Sequence, residues 1–341
     1  MKWIRLYVFV FLVFCSCSEV KRESAPLIKI EKNPVDDKCC VKDSTLKKGD
    51  VRRYGIYPER LFTDNQWDQV AKLADRGMPI TFNKGMYYGN IILRGVDSIT
   101  IHFDDATIAG GIQIINNGDV ASKSITLSGK LTVLDKVFIR QSSNIKFDEL
   151  NIISDTLNNI YKKKNRGLSI YAGSKKINID TLRIMDTGGT DDDFYTYSAA
   201  AMQVHGYNNN PEMITVNYLK IKNAARSALY LTGNNHKIEK VEINNFGYGS
   251  NNNMFGLEDA KPEAQKVFSG AWFNKCNDCT VDTLMINAKK GNKTYSARFD
   301  LGVYSKPCII NTIKFNSIAK QMPIEDDVLT NVLVKRVLKD D

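Results

Sequence analysis

The chain has 341 residues, 43% of them apolar, which is enough for one large domain or two small ones and too much for a disordered protein. Lys and Arg exceed Asp and Glu by nine, and by seven once Lys2 and Arg5 are set aside. That excess favours acidic partners. There is no nucleic-acid motif and no interleaving of aromatic and basic residues of the kind that marks one.

Residues 1–17 read as a signal peptide: Lys2 and Arg5, the apolar run Leu6 to Phe14, then Cys-Ser-Cys. The apolar run is too short to span a bilayer. Ser16-Cys17, with Phe14 three positions before the cysteine, resembles a bacterial lipobox. This implies cleavage before Cys17, lipid attachment to it, and a place in the cell envelope, most simply at the outer membrane. An ordinary secretory signal, or use of Cys15, is the alternative. Residues 18–50 are polar, contain Pro26 and Pro34, and read as a flexible tether. Within it, Cys39-Cys40 read as incidental or as an exposed disulfide.

From residue 51 onward one apolar phrase recurs. Its constant element is apolar-x-x-apolar-x-apolar, as in Phe103/Ala106/Ile108, Phe147/Leu150/Ile152, Ile179/Leu182/Ile184, Val216/Leu219/Ile221, Ile238/Val241/Ile243, Val281/Leu284/Ile286, Ile310/Ile313/Phe315 and Leu329/Val332/Val334. Leu127/Leu131/Val133 is a further copy with one extra residue beside Gly129. A strand alternates its side chains with period two, so each triplet buries only part of itself and has to stack on a neighbour. Three short strands per pass and about nine passes predict an all-β right-handed parallel β-helix over residues 51–341. Trp67, Val70, Leu73 and Ala74 are spaced for one face of a short capping helix. Insertions at 154–167, 186–200, 244–270 and 287–296 precede the first strand of their passes.

Ile80, Phe82, Gly85 and Tyr87, followed by the ITLSG stretch from Ile125, resemble the opening of the pectin-lyase-like superfamily. That superfamily includes polygalacturonases and polysaccharide lyases. The resemblance spans roughly 55–337 and implies this fold and a substrate among acidic polysaccharides. It carries little about activity, because the fold hosts hydrolases, lyases and silent binding proteins.

Loops clustered before one sheet imply a groove along it. Alternation points Gln203 and His205 outward from AMQVHG, and Tyr230 and Thr232 outward from ALYLTG. The same frame puts Phe273 and Lys275 outward from AWFNKC, with Asn274 buried, and Arg298 and Asp300 outward from ARFDLG. β-Elimination on a uronate needs a base for the proton beside the carboxylate, a cation for that carboxylate, and a proton donor to the leaving oxygen. His205 or a lysine fits the base, Tyr230 the acid, and Arg226 or Lys275 the cation, with Gln203, Thr232, Phe273, Arg298 and Asp300 holding the polymer. A calcium ion is an alternative neutraliser, with Asp191, Asp192 and Asp193 as its oxygen ligands. Lysine-rich insertions around 162–166 and 289–293 suit an anionic chain.

Each residue also has a purely structural alternative. His205 can hydrogen-bond a loop, Tyr230 can pack beneath the 244–270 insertion, Arg226 can cap a turn carbonyl, and the aspartates can form a solvated turn. Hydrolysis of the polygalacturonase type is the enzymatic rival, and it needs paired carboxylates. Only fragments of its signatures are present, Asp191-Asp192 and Val204-His205-Gly206, without the R-I-K element. No lyase signature stands out either, and a non-catalytic glycan- or partner-binding surface protein remains the second class of function. Cys279 and Cys308 fall at the same position of successive passes. A strand spacing of about 4.8 Å is wide for a disulfide, so stacked thiols are expected there. Cys276-x-x-Cys279 lacks partners at zinc spacing.

Overall fold

The computed structural model describes residues 35–38, 40–154, 165–188, 200–206, 208–247, 268–288, 295–300, 306–321, 324–326 and 332–339. A single 3-10 turn (Val51–Tyr54) and helix α1 (Asp64–Asp75) cap its N-terminal end. Helix α1 starts at a reciprocal cap: Thr63 Oγ1 accepts from the Gln66 backbone and Gln66 Oε1 accepts from the Thr63 backbone. Trp67, Val70, Leu73 and Ala74 are buried as their spacing predicts, and the Trp67 indole donates to the Ile92 carbonyl at 2.9 Å.

The tether reading of residues 18–50 needs shortening at its C-terminal end. Asp37 is 2% exposed, accepts from Arg53 Nε at 2.7 Å and from the Tyr54 hydroxyl at 3.1 Å, and so ties the preceding segment to the cap. The Arg53 guanidinium holds the Asp37 carboxyl below its usual pKa against the opposing cost of burial. Cys40 is buried in the core, which overturns its exposed placement, while Cys17, Cys39 and residues 18–34 lie outside the described residues.

Beyond the cap the chain coils, and every ladder between successive named strands is parallel. The main file of long strands runs β4 (Thr100–Ile108), β6 (Ser122–Val133), β8 (Ser142–Ile153), β10 (Lys175–Met185), β12 (Glu212–Ala224), β14 (Lys237–Phe246), β16 (Thr280–Asn287) and β18 (Cys308–Phe315). The second file is short: β3 (Ile91–Arg94), β5 (Ile112–Ile115), β7 (Lys136–Arg140), β9 (Gly167–Tyr171), β11 (Ala200–His205), β13 (Ser227–Asn234), β15 (Ser269–Asn277), β17 (Tyr295–Asp300) and β19 (Ile324–Asp326). Two of the three strands expected per pass therefore run together as one long strand. Their halves separate only at the ends of the solenoid. There β1 (Ile80–Phe82) and β2 (Gly85–Tyr87) both pair with β4, and β20 (Val332–Val334) and β21 (Val337–Lys339) both pair with β18. This is a parallel β-helix solenoid.

The repeat becomes columns of buried side chains. Phe147, Ile179, Val216, Ile238, Val281 and Ile310 stack in one file, each at most 1% exposed. Burying a side chain of this size contributes about 1.5–3 kcal/mol. One left-handed residue turns the chain just before each long strand or within its first three residues: Ser98, Ser124, Asn144, Lys176, Met213, Asn235 and Asp278 have φ of 54–58°. Ser, Asn and Asp, which bear that conformation best, hold five of the seven places. The extra residue beside Gly129 appears as a bulge in the ladder to β8; in the ladder to β4 the extra residue lies on β4, so that Leu127 pairs with Ile101 and Phe103 with Gly129, which shifts the expected first copy of the phrase. Gly129 has φ +79°, and a Cβ there would meet the Phe103 carbonyl oxygen at 2.2 Å.

The last pass departs from the expected frame. Val334 pairs with Ile310 and Val337 with Ile313, so the final copy of the phrase is Val334/Val337/Lys339 rather than Leu329/Val332/Val334. Val332 and Val334 satisfy strand alternation in either frame, and only the ladder to β18 decides between them.

Near the C-terminal end Cys276, Cys279 and Cys308 are buried free thiols, as the stack of equivalent positions predicts. Burial pushes the Cys276 thiol well up, and hydrogen bonds with the thiols of Cys279 and Cys308 act in the same direction. Its Sγ lies 3.0 Å from the Leu231 carbonyl oxygen.

Candidate functional site

The outer wall of the short-strand sheet gathers most of the expected residues. Pairing aligns Phe138, Ser169, Gln203, Tyr230, Trp272 and Arg298 across six successive turns. The next outward file contains Tyr171 opposite His205, and Asn274, whose backbone pairs with that of Asp300. Gln203 and Tyr230 are therefore neighbours as expected, but the third member is Trp272.

Phe273 is a correction. It lies inside the coil at 1% exposure, stacked on Phe299 with ring centroids 5.7 Å apart. Asn274, expected in the interior, points outward and donates to the Tyr230 hydroxyl at 2.8 Å. The cause is a bulge: the ladder between β13 and β15 slips between Leu231 and Gly233, where β15 carries an extra residue. Lys275, at φ +54° and exposed, sits in that bulge. Counting from the cysteine side without the bulge inverts every residue upstream of it.

The wall carries a chain of rings. Phe138 and Tyr171 have centroids 6.2 Å apart, and Tyr171 to His205 is 5.7 Å at an interplanar angle of 70°. His205 to Tyr230 is 5.7 Å at 69°, and Tyr230 to Trp272 is 4.8 Å at 74°. The Arg298 guanidinium closes the series 4.2 Å from the centre of the Trp272 ring. The edge-to-face pairs place ring hydrogens against ring faces, which fixes the imidazole plane between two tyrosines. Burial holds His205 below the ordinary histidine pKa, so the ring is neutral at pH 7 and able to accept a proton.

Not all of the wall is open. Tyr230 and Trp272 are each 2% exposed and form, with Ala200, a small apolar cluster separate from the coil interior. Tyr230 thus points outward as predicted but is covered, which removes it as a proton donor to a polymer. Thr232 is buried too, its hydroxyl donating to the Val204 carbonyl at 3.0 Å and lying 3.1 Å from Asn210 Oδ1. Arg226 is 3% exposed at the corner before β13, and burial holds its guanidinium below its usual pKa. Like Tyr230 it is covered, which removes it as a cation for a polymer carboxylate.

Gln203, His205 and Arg298 remain half-buried on the wall. The side chain of Asp300 and the whole of Asp191, Asp192 and Asp193 lie outside the described residues. Among the described residues no cluster of His, Cys, Asp and Glu is placed to hold a metal ion, and no helix is long and apolar enough to cross a membrane. None of the described outward side chains on β7, β9, β11, β13 and β15 is a carboxylate.

Sequence reasoning missed Tyr171, Trp272 and Asn274. Tyr171 had a readable signal: it ends the strand GLSIY as His205 ends AAMQVH, and the two pair directly. The other histidines serve elsewhere. His102 is exposed, 3.1 Å from Ser128 Oγ. His236 is buried, its Nδ1 accepting from the Ile214 backbone at 3.1 Å and its Nε2–H donating to the Thr232 carbonyl at 2.9 Å.

The fold is that of a parallel β-helix solenoid with a cap helix and a ring-lined outer wall. No family model matches the chain, and neither a curated protein nor a solved structure matches it.

Proposed function

We propose that this is an envelope lipoprotein whose solenoid binds an acidic polysaccharide along its short-strand wall and cleaves it by β-elimination, with His205 as the base. The observation that carries the reading is the neutral imidazole held edge-on between Tyr171 and Tyr230 in the middle of the wall. His205 would take the proton beside a uronate carboxylate. The electron pair then forms the ring double bond as the bond to the glycosidic oxygen breaks. Tyr171, half-buried and next to His205, replaces Tyr230 as the donor that protonates the leaving oxygen. Arg298 and Arg140 flank the pair along the coil axis and suit the carboxylates of neighbouring sugars.

Hydrolysis is less well supported, since two carboxylates are needed and the described wall around His205 offers none. A specific distance favours a second reading, binding without cleavage. Arg298 stands three turns from His205, about 14 Å at the usual strand spacing, and Arg140 two turns away, about 10 Å. Neither reaches the carboxylate of the sugar that would lose its proton at His205.

The deciding experiment incubates the protein with alginate, pectate and glycosaminoglycans, with and without calcium, and follows both ultraviolet absorbance of unsaturated ends and new reducing ends. Absorbance that grows with turnover supports elimination. Reducing ends without absorbance refute it in favour of hydrolysis, and neither signal together with retained binding leaves a binding protein.

A further inference from the structure

The corner where the short strands turn into the long ones holds an open cleft of about 330 Å³ that the cleavage chemistry does not use. It lies at the ends of β5, β7, β9 and β11, within one or two turns of His205. Its lining is unusual for this basic chain: the amides of Asn116, Gln141 and Asn209, the Ser143 hydroxyl, and one opposed pair of charges, Asp119 and Lys175.

Gly173 forms the floor. A Cβ at Gly173 would come within 3.0 Å of Asn209 Nδ2 and 3.2 Å of Gln141 Cγ, so the two side chains converge over bare backbone. The backbone is fixed on both sides: Gln141 N donates to the Ala172 carbonyl at 2.9 Å, and Gly173 N donates to the Asn209 carbonyl at 2.9 Å. Arg140, at the rim, donates to Asn116 Oδ1 at 3.3 Å, which orients that amide. Side-chain amides offer paired donors and acceptors without charge. Such a set matches vicinal hydroxyls; Asp119 and Lys175 carry opposite charges, and the Arg140 guanidinium beside them is turned onto Asn116, so the lining itself carries no net charge.

We propose that this cleft binds an uncharged, hydroxyl-rich pyranose. Resting on the polysaccharide reading above, this makes the substrate a heteropolymer in which a neutral sugar stands beside the acidic one, and not a homouronan. A strand spacing of about 4.8 Å per turn is close to the length of one sugar. The cleft floor at Gly173 is one turn from His205, so a polymer whose acidic residue is at His205 can place the neighbouring neutral residue over Gly173, between Gln141 and Asn209.

The test is saturation-transfer NMR on the full folded protein with methyl N-acetylglucosaminide and methyl galactoside as neutral probes and methyl glucuronide as the charged one. The wild type is expected to give transfer from a neutral probe and little from the glucuronide. Gln141→Ala, and separately Ser143→Ala, are expected to weaken that signal at least tenfold in apparent affinity with thermal unfolding unchanged. Transfer from the glucuronide alone, or neutral binding untouched by both lining variants, would overturn the proposal. The polymer assays remain separate: neutral-sugar binding without any cleavage refutes the elimination and keeps the cleft, whereas cleavage without neutral-sugar binding refutes the cleft alone.

Discussion

Acid should loosen this solenoid through His236, and the size of the effect follows from its surroundings. The ring is 1% exposed and makes two bonds, accepting at Nδ1 from Ile214 and donating at Nε2 to Thr232. A proton on Nδ1 would face the Ile214 N–H head-on and place a charge where no water reaches. Burial accordingly lowers the pKa from 6.5 to about 4. In the unfolded chain the ring titrates at its ordinary value, so the unfolded state binds the proton first. The stabilisation is therefore complete above about pH 6.5, is lost as pH falls, and levels off near the folded pKa. At about 1.4 kcal/mol per unit the full loss is roughly 3 kcal/mol, of which about 2 kcal/mol falls between pH 7 and pH 5. Urea unfolding of the wild type and of His236→Asn at pH 7, 6 and 5 isolates this contribution, because every other ionisable group is common to both proteins. The stability gap between the two should narrow by about 2 kcal/mol over that range. Parallel curves would refute the assignment.

Other outcomes follow from the same geometry. His205→Ala should lower turnover by about 10²–10⁴ while leaving the unfolding midpoint nearly unchanged, and unaltered kinetics in the folded variant would remove His205 from the mechanism. Because burial depresses its pKa, the acid limb of wild-type kcat/KM should lie at lower pH than an ordinary histidine base would give; a rate still climbing above pH 7 would point to another base. Gly129→Ala should cost about 2–4 kcal/mol in urea unfolding, since both the left-handed backbone and the contact with the Phe103 carbonyl resist a side chain. Trp272→Ala should destabilise by about 3 kcal/mol and release the Arg298 guanidinium, seen as loss of affinity for acidic oligosaccharides by affinity electrophoresis.

How far the fold and the site could be read in advance differs by residue. The triplet from Phe147 to Ile310 was legible because burial on one side of a stacked strand leaves an apolar trace at every pass. The cap helix was legible for the same reason, with a different period. Gln203, His205 and Tyr230 were correctly turned outward wherever the chain alternates without interruption. Phe273 was not, because one extra residue at Lys275 reverses the parity of everything before it, and a bulge has no obligatory sequence mark. Tyr171 was passed over because its importance comes from its partner one turn away.

Composition and spacing alone settled that this chain winds into a stack of parallel turns, since units so small can exclude water only by lying on copies of themselves. They settled the interior for that reason wherever no bulge or frame shift interrupts the count, and not at Phe273 or in the last pass. What faces outward was decided by tertiary structure: whether Tyr230, Thr232 and Arg226 meet solvent or are covered, and that Gln141 and Asn209 close on one another over Gly173. An outward side chain leaves no periodic trace of what lies on top of it, because covering depends on neighbouring turns and not on the residues beside it in the chain.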